Sequence, residues 1–378
     1  MHDTKYYKLG ELVFSISGSG EMFEYLKEEF CCLPAPINIS NIDIRIVLSN
    51  GLPSPPTGAI YIKTHIGWES GFQVISDHLK YQVNRDDGNY TIFVDTERSA
   101  NGSIYNFAHR FIDLNYLTPA QNLAKNFMYN CFNLVSGVVI LEKKLGCYLH
   151  ASSMAKDEKG VAFVASGGIG KTTSMLHLVS RKGWRYLSDD IALLDGSGKL
   201  VRTPLRMQVY AYNLLGNDGL RHDLMKGRSI SDKTAWRARL HIKGMHRTRR
   251  RVTANQLFGS DKVAKSENCD VLFFVERLFI SEAKIDKCDS NYILDKLINL
   301  MPKEIGGLNE LSDALELVEC GLSEFRRDSF TDSLTKFYQN VASTIPAYKI
   351  SIPHKMDAST LLDFMDSMLD EIVLSAAQ

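Results

Sequence analysis

The stretch VASGGIGKTT, Val164 to Thr173, decides how this chain is read. A phosphate-binding loop of the form G-x-x-x-x-G-K-[ST] has glycine at its first position, and here Ala165 stands there. Such a loop works by geometry. Small residues let successive backbone N–H groups converge on a β-phosphate, and the helix that follows adds a favourable partial positive charge at its N-terminus. Gly167, Gly168 and Gly170 meet that need, while Ala165 falls on the strand side of the turn, where only a bulky side chain would obstruct. The nucleotide-binding set is therefore Gly167, Gly168, Ile169, Gly170, Lys171, Thr172 and Thr173. Lys171 would reach the β- and γ-phosphates, and the Thr172 hydroxyl would ligate Mg²⁺.

Working outward, Tyr148 to Met154 reads as a strand, AKDEKG as a turn and Val161 to Ala165 as the strand that feeds the loop. A helix follows from about Lys171 and stops before Gly183, and Arg185 to Leu187 forms the next strand. That strand runs into Asp189 and Asp190. Two carboxylates there can divide the labour, one holding Mg²⁺ directly or through water and the other taking a proton from an attacking hydroxyl. Each also raises the other's proton affinity, which favours a base over an inert anion. His150 lies on the strand paired with the loop strand, so its imidazole can sit near the carboxylates and polarise one of them. A histidine on an apolar strand reads equally well as a satisfied core residue. Further on, Arg202 and Arg206 are placed to clamp a γ-phosphate or an anionic acceptor bidentately. The run HRTRRRV, His246 to Val252, is the densest charge cluster, and it reads as a solvated face or as a substrate site. Glu276 and Arg277 read as an ion pair at the site's edge or as a plain strand end.

Three of these segments, LHASSM, GVAFVASGGIGKTT and GWRYLSDD, together resemble the core of HPr kinase/phosphorylase and its related kinases. The resemblance implies an α/β (α+β) fold with a phosphoenolpyruvate-carboxykinase-like P-loop core. It also implies an ATP- and Mg²⁺-dependent kinase that transfers the γ-phosphate to a hydroxyl, most plausibly a serine of a protein or peptide. By that resemblance His150 would position the base, Gly168, Gly170 and Lys171 would bind phosphate, Thr172 and Asp190 would bind metal, and Asp189 would be the general base. The catalytic set is thus Asp189, His150 and Lys171. Ala165-Ser166-Gly167 stands where the family has G-D-S, and the later glycine-rich segment that HPr kinases use for their protein substrate and reverse reaction is not found. A kinase of a small hydroxylated metabolite and a non-catalytic ATP-binding switch are the rival readings. HPr kinases assemble into oligomers, so a homo-oligomer is compatible with the resemblance.

With 44 basic and 44 acidic residues, no global field draws the chain to nucleic acid or to a membrane. The arginine run has no interleaved aromatic residues, which argues against single-stranded nucleic acid as a partner. No stretch reaches the roughly 18 apolar residues of a spanning helix, and MHDTKYYKLGELVF has no secretory pattern, so the expected location is cytoplasmic. Seven cysteines without C-x-x-C spacing indicate reduced thiols and no structural zinc. Residues 1–117 alternate as strands of a mostly antiparallel β domain, with a hairpin at Asp87-Gly88. Thr118-Pro119 opens a connecting helix over 118–143. Residues 144–378 form the P-loop catalytic domain with a helical C-terminal extension. In that part, Val271 to Phe274 and Tyr348 to Ile352 read as strands, and about Ala358 to Leu374 as a helix with Leu361, Leu362, Met365, Leu369 and Ile372 inward.

Overall fold

The computed structural model describes residues 3–39, 41–97, 117–215, 217–305 and 307–374. These fall into two compact units. One takes the described residues of 1–110, 117–147 and 301–337, and the other those of 148–300 and 338–378. The end of the expected β-rich N-terminal domain, 98–116, lies outside the described residues.

In the first unit, β1 (Asp3–Leu9), β2 (Leu12–Gly18), helix α1 (Gly20–Phe30), β3 (Ile44–Ser49), β4 (Ile60–Ile62), β5 (His65–Trp68), β6 (Gly71–Ile75), β7 (Lys80–Asp86) and β8 (Asn89–Asp95) build one eight-stranded sheet in the order β1-β2-β3-β8-β7-β6-β5-β4. Pairing is antiparallel except β2–β3 and β3–β8, which are parallel: α1 is the crossover between β2 and β3, and the chain returns to β3 as β8 after β4 to β7. The β7–β8 reversal sits at Asp87 and Gly88 as expected, with φ of 47° and 75°. Such paired positive values make the tight turn whose twist matches the strands. A long helix, α2, follows in three consecutive stretches: Pro119–Phe127, the π-helical Met128–Phe132, and Asn133–Glu142. Thr118 and Gln121 close a full capping box at its start. Phe132 joins Phe14 and Phe30 with ring centroids 5.2 and 5.1 Å away, which fixes α2 against the sheet and α1.

The chain returns to this unit at 301–337, a stretch inside the 144–378 that the sequence reads as the catalytic domain with its C-terminal extension. A partly buried polar cluster explains the return. Arg85 on β7 is bonded to Glu142 at the end of α2, and to Glu324 of the turn Ser323–Phe325 at 3.1 Å. The fully buried Tyr90 on β8 shares its hydroxyl between Glu142, at 2.7 Å, and Glu324, at 2.5 Å. Phe325 packs edge-on to Phe72, with centroids 5.3 Å apart. Burial and the two carboxylates hold the Tyr90 phenol protonated, so it stays a donor.

The second unit holds β10 (Ala151–Lys156), β11 (Lys159–Val164), helix α3 (Lys171–Arg181), β12 (Arg185–Ser188), β13 (Ala192–Asp195), β14 (Lys199–Val201), the two-stranded ribbon β15 (Met207–Tyr210) and β16 (Arg249–Val252), the long β17 (Ser266–Leu278), β18 (Lys284–Lys287) and β19 (Ala347–Pro353). With β9 (Gly146–Leu149), these strands other than the ribbon make a nine-stranded mixed sheet. Its path is β12-β10-β11-β17-β14-β13-β9, and β19 and β18 branch from β17. The strand expected from Tyr148 to Met154 is broken at His150, which stands between β9 and β10. At the centre, β11, β17 and β19 run parallel, with Val164 opposite Phe274 and Phe274 opposite Lys349. Parallel central strands are buried on both faces, and the chain supplies the apolar runs that this requires: Val161 to Val164 and Val271 to Val275 are all buried. One face is covered by α3 and by the last helix, Ala358–Leu369. That helix buries Leu361, Met365 and Leu369 as expected, together with Met368, while Leu362 and Ile372 are only partly buried.

All seven cysteines are free thiols. Among the described residues, no helix is long and apolar enough to cross a membrane.

Candidate functional site

The loop lies between the buried end of β11 and the first turn of α3, the strand-to-helix junction that the motif requires. Gly168 has φ of 79° and Gly170, the residue just before the helix, has φ of 116°. Both values are open to glycine and strained for residues with a Cβ, and a Cβ on Gly170 would also press on Leu361 at 3.1 Å. The first intrahelical bond runs from Ser174 N to Gly170 O, at 2.9 Å. The N–H groups of Lys171, Thr172 and Thr173 therefore precede the ladder and are available to an anion. Ala165, the one departure from the motif, is buried at the strand end.

Lys171 is buried, and its ammonium donates to the Ala165 carbonyl, to the Ser166 carbonyl at 3.0 Å and to His150 Nε2 at 3.1 Å. His150 was expected beside a carboxylate. It instead serves the lysine, and its ring is bonded to the backbone of Asp190. Burial first, and then the Lys171 charge, push the imidazole down to about 4 against that backbone bond, so at neutral pH the ring is uncharged and Nε2 accepts.

Asp189 is buried at the end of β12. Its Oδ1 accepts from Ser152 Oγ at 2.6 Å, and Thr172 Oγ1 donates to both of its carboxylate oxygens, at 3.0 and 3.2 Å. Burial pushes the carboxyl up, opposed by Ser152, Thr172, the Lys171 charge and the Asp190 backbone. Asp190 takes the tight turn after the strand with φ of 66°, a left-handed conformation that aspartate tolerates better than most residues. Asp190 and Asp189 line the same cavity as the loop, a cleft of about 530 Å³.

The rest of that cleft's lining is only partly legible in the sequence, where the basic run with His246 and Arg249 reads as one candidate substrate site. That lining consists of Gln208, Tyr210, Tyr212, His246 and Arg249. The ribbon pairs Tyr210 with Arg249 and Gln208 with Arg251, so these four side chains share one face. Arg249 Nη1 donates to the Tyr210 hydroxyl at 2.7 Å, and its guanidinium lies over the Tyr210 ring, 5.6 Å from the centroid. Tyr210 stacks on Tyr212 at 5.3 Å, and Tyr212 meets His246 at 5.2 Å. The basic run is accordingly no solvated face. Arg250 and Arg251 are buried, and Arg250 makes a fork to Asp232 at 2.6 and 2.7 Å. The expected clamp residues lie elsewhere: Arg202 donates to Asn255 at 3.3 Å, and neither it nor the buried Arg206 lines the cleft. Glu276 and Arg277 are not a pair. Glu276 is held by Lys349 at 2.5 Å, while Arg277 donates to backbone carbonyls, among them Ile169 O at 3.4 Å and His354 O at 3.1 Å.

The Thr172 hydroxyl with the Asp189 carboxylate is an all-oxygen donor set beside a phosphate cradle, and it fits a hard divalent ion that keeps water and phosphate as its other ligands. Among the described residues, no group of three or more His, Cys, Asp or Glu side chains forms a self-sufficient metal site.

No family model matches the chain, and no curated protein matches it. Among solved structures, it is similar to the Hpr(Ser) kinase/phosphatase from Coxiella burnetii, at 12% identity over 61% of this chain and 99% of that one, with a TM-score of 0.27. A likeness with so low a TM-score decides neither fold nor chemistry for this chain.

Proposed function

We propose that the second unit is an ATP-dependent phosphotransferase that moves the γ-phosphate to an acceptor hydroxyl. The observation that carries this reading is the bond between Thr172 and the buried Asp189 at the mouth of a phosphate loop, with a second carboxylate, Asp190, in the same cleft. Binding a nucleotide needs only the loop. A further carboxylate facing the transferable phosphate supplies a proton acceptor, which ranks transfer above a passive switch.

The geometry favours exchanging the two aspartate roles that the family resemblance implied. Asp189 is held by Ser152 and by Thr172, so it belongs with the hydroxyl that would ligate Mg²⁺. Asp190 is less buried and is the better base. Bound there, Mg²⁺ would neutralise charge on the β- and γ-phosphates. Lys171 exchanges its two backbone carbonyl partners for phosphate oxygens, His150 keeps the lysine aimed, and Arg249, in the same cleft, meets the γ-phosphate. The acceptor that suits this reading first is a serine of a protein or peptide, and a small hydroxylated metabolite is the second choice.

The test separates the aspartates. Asp190→Asn is expected to lower phosphoryl transfer by about a hundredfold or more while MgATP affinity stays within about twofold. Asp189→Asn should weaken MgATP while leaving Mg²⁺-free ATP binding nearly unchanged. Full transfer activity in Asp190→Asn sinks the assignment.

A further inference from the structure

A second cavity, of about 190 Å³, lies against the phosphate loop and is lined by Ser166 and Ile169 of the loop, Phe274 and Glu276 of β17, and Tyr292 and Leu300 of the helix Ser290–Glu304. Ile169 lines both cavities, so the loop itself divides them. The two differ in chemistry. The larger carries both aspartates, Lys171 and Arg249, which suit a triphosphate and a reacting hydroxyl. The smaller is walled by Ile169, Phe274, Val275 and Leu300, with Ser166, Tyr292 and the opposite charges of Glu276 and Lys296 among them. Slots of that composition take flat, weakly polar rings. It also lies at the carboxyl end of β11, where that strand stops opposite Phe274 and β17 runs on beside it, and ligands of such sheets gather at the carboxyl ends of parallel strands.

We propose that this smaller cavity is the subsite for the purine base of the nucleotide whose phosphates occupy the loop. The inference rests on the phosphotransferase reading and adds to it the place and chemistry of base recognition. Phe274 and Tyr292 meet edge-on, with centroids 5.8 Å apart and planes at 87°. The Tyr292 hydroxyl is buried and has no hydrogen-bond partner. A buried donor without a partner costs about 1–3 kcal/mol, and a ring nitrogen of a purine removes that cost. Burial and Glu276 keep the phenol protonated, so it donates throughout the physiological range. Glu276 is fixed through Oε1 by Lys349 at 2.5 Å and Ser351 at 3.3 Å, and its Oε2 faces Lys296 at the longer distance of 3.8 Å, so that oxygen keeps an acceptor site for an exocyclic amino group. Arg277 ties the loop at Ile169 O, 3.4 Å, to the carbonyls of His354 and Met356 at 3.1 and 3.2 Å, which holds the slot's loop wall in place.

Calorimetric titration of the full chain with MgATP, and separately with magnesium tripolyphosphate, tests this, because tripolyphosphate occupies the loop and has no base. Leu300→Trp fills the slot. It should weaken MgATP by at least about tenfold and leave tripolyphosphate within about twofold. Tyr292→Phe keeps the volume and removes the donor. It should weaken MgATP by about three- to tenfold with tripolyphosphate again unchanged, and it decides the matter if the tryptophan variant does not fold. An unchanged ratio of the two affinities in Tyr292→Phe, or equal weakening of both ligands in either variant, overturns the base subsite while leaving the loop reading intact. Wild-type protein that binds neither ligand overturns the phosphotransferase reading itself.

Discussion

Each unit contains a cluster, partly buried in the first and buried in the second, made of the same ingredients: a cation, carboxylate and a hydroxyl. In the first unit Arg85 meets Glu142 and Glu324 directly, and Tyr90 bonds both carboxylates. In the second, both charges have neutral hydrogen-bond partners. Lys171 donates to two backbone carbonyls and an uncharged imidazole, while Asp189 accepts from the hydroxyls of Ser152 and Thr172. Opposite charges in direct contact, with the remaining lone pairs bonded, make a fastener that is costly to open. Charges held by neutral donors and acceptors are stable enough to persist and cheap enough to exchange for the oxygens of a phosphate. The partners of the charges, more than the residue types, separate scaffold from site.

The sharpest way to break this contrast is to remove the fastener's cation. Arg85→Met leaves Glu142 and Glu324 facing one another across Tyr90, and should cost the first unit about 3 kcal/mol, somewhat below the full cost for a deeply buried pair because the arginine is partly exposed. Denaturant unfolding monitored at both neutral and acidic pH reads the loss. MgATP affinity should stay within about twofold of wild type, since the two clusters share no partners. Unchanged stability would mean that the cluster is not what holds 301–337 to its unit.

A smaller effect is expected from the other side of the comparison. The His150 imidazole sits at about 4, below the ordinary histidine value of 6.5. The unfolded chain therefore binds a proton that the folded chain refuses between those values, and stability falls as pH drops through that window. Above about 6.5 neither state is protonated and the penalty vanishes. His150→Gln retains an acceptor for Lys171 without the titration. Without nucleotide, its melting temperature should track wild type near pH 7.5 and exceed it near pH 4.5, where the wild-type penalty approaches about 2–3 kcal/mol. Parallel pH profiles for the two proteins would show that the histidine is not the group that resists protonation.

Much of the loop was legible because its signals are local. Glycines at Gly168 and Gly170, the helix that starts at Lys171 and the paired aspartates after β12 are all set by short-range backbone demands. Thr118-Pro119 and Asp87-Gly88 were legible for the same reason. Register and long-range pairing were not. The sheet of the first unit gains one parallel pair through α1 and the other by the return of β8 to β3, and residues 301–337 rejoin that unit through Glu324 and Phe325, contacts that no periodicity announces. The rest of the cleft's lining depends on β15 pairing with β16 across the intervening helices, which puts Tyr210 opposite Arg249. The alternation within MQVY is a two-residue period and could have suggested a strand, whereas RRRV has no such period. Four arginine-rich residues read more readily as a solvated charge run, and two of those arginines are buried.

Arg249 is therefore the residue on which the site's reading is most open to sharpening. Its guanidinium is fixed by the Tyr210 hydroxyl at 2.7 Å and by the ring beneath it, so it needs no reorganisation to meet an anion entering the cleft. Under the phosphotransferase reading, a cation that lines the cleft without belonging to the loop serves the outermost phosphate, whereas Lys171 and the loop N–H groups serve the inner ones as well. Arg249→Ala should consequently weaken ATP about tenfold and leave ADP within about twofold, a difference that isolates the γ-phosphate contact from general loss of binding. Tyr210→Phe keeps the ring under the guanidinium but frees one of its donors, and should reproduce the same selective loss at about two- to threefold. Equal weakening of ATP and ADP would place Arg249 with the loop's general electrostatics, and no weakening of either would return it to the scaffold side of the comparison with Arg85.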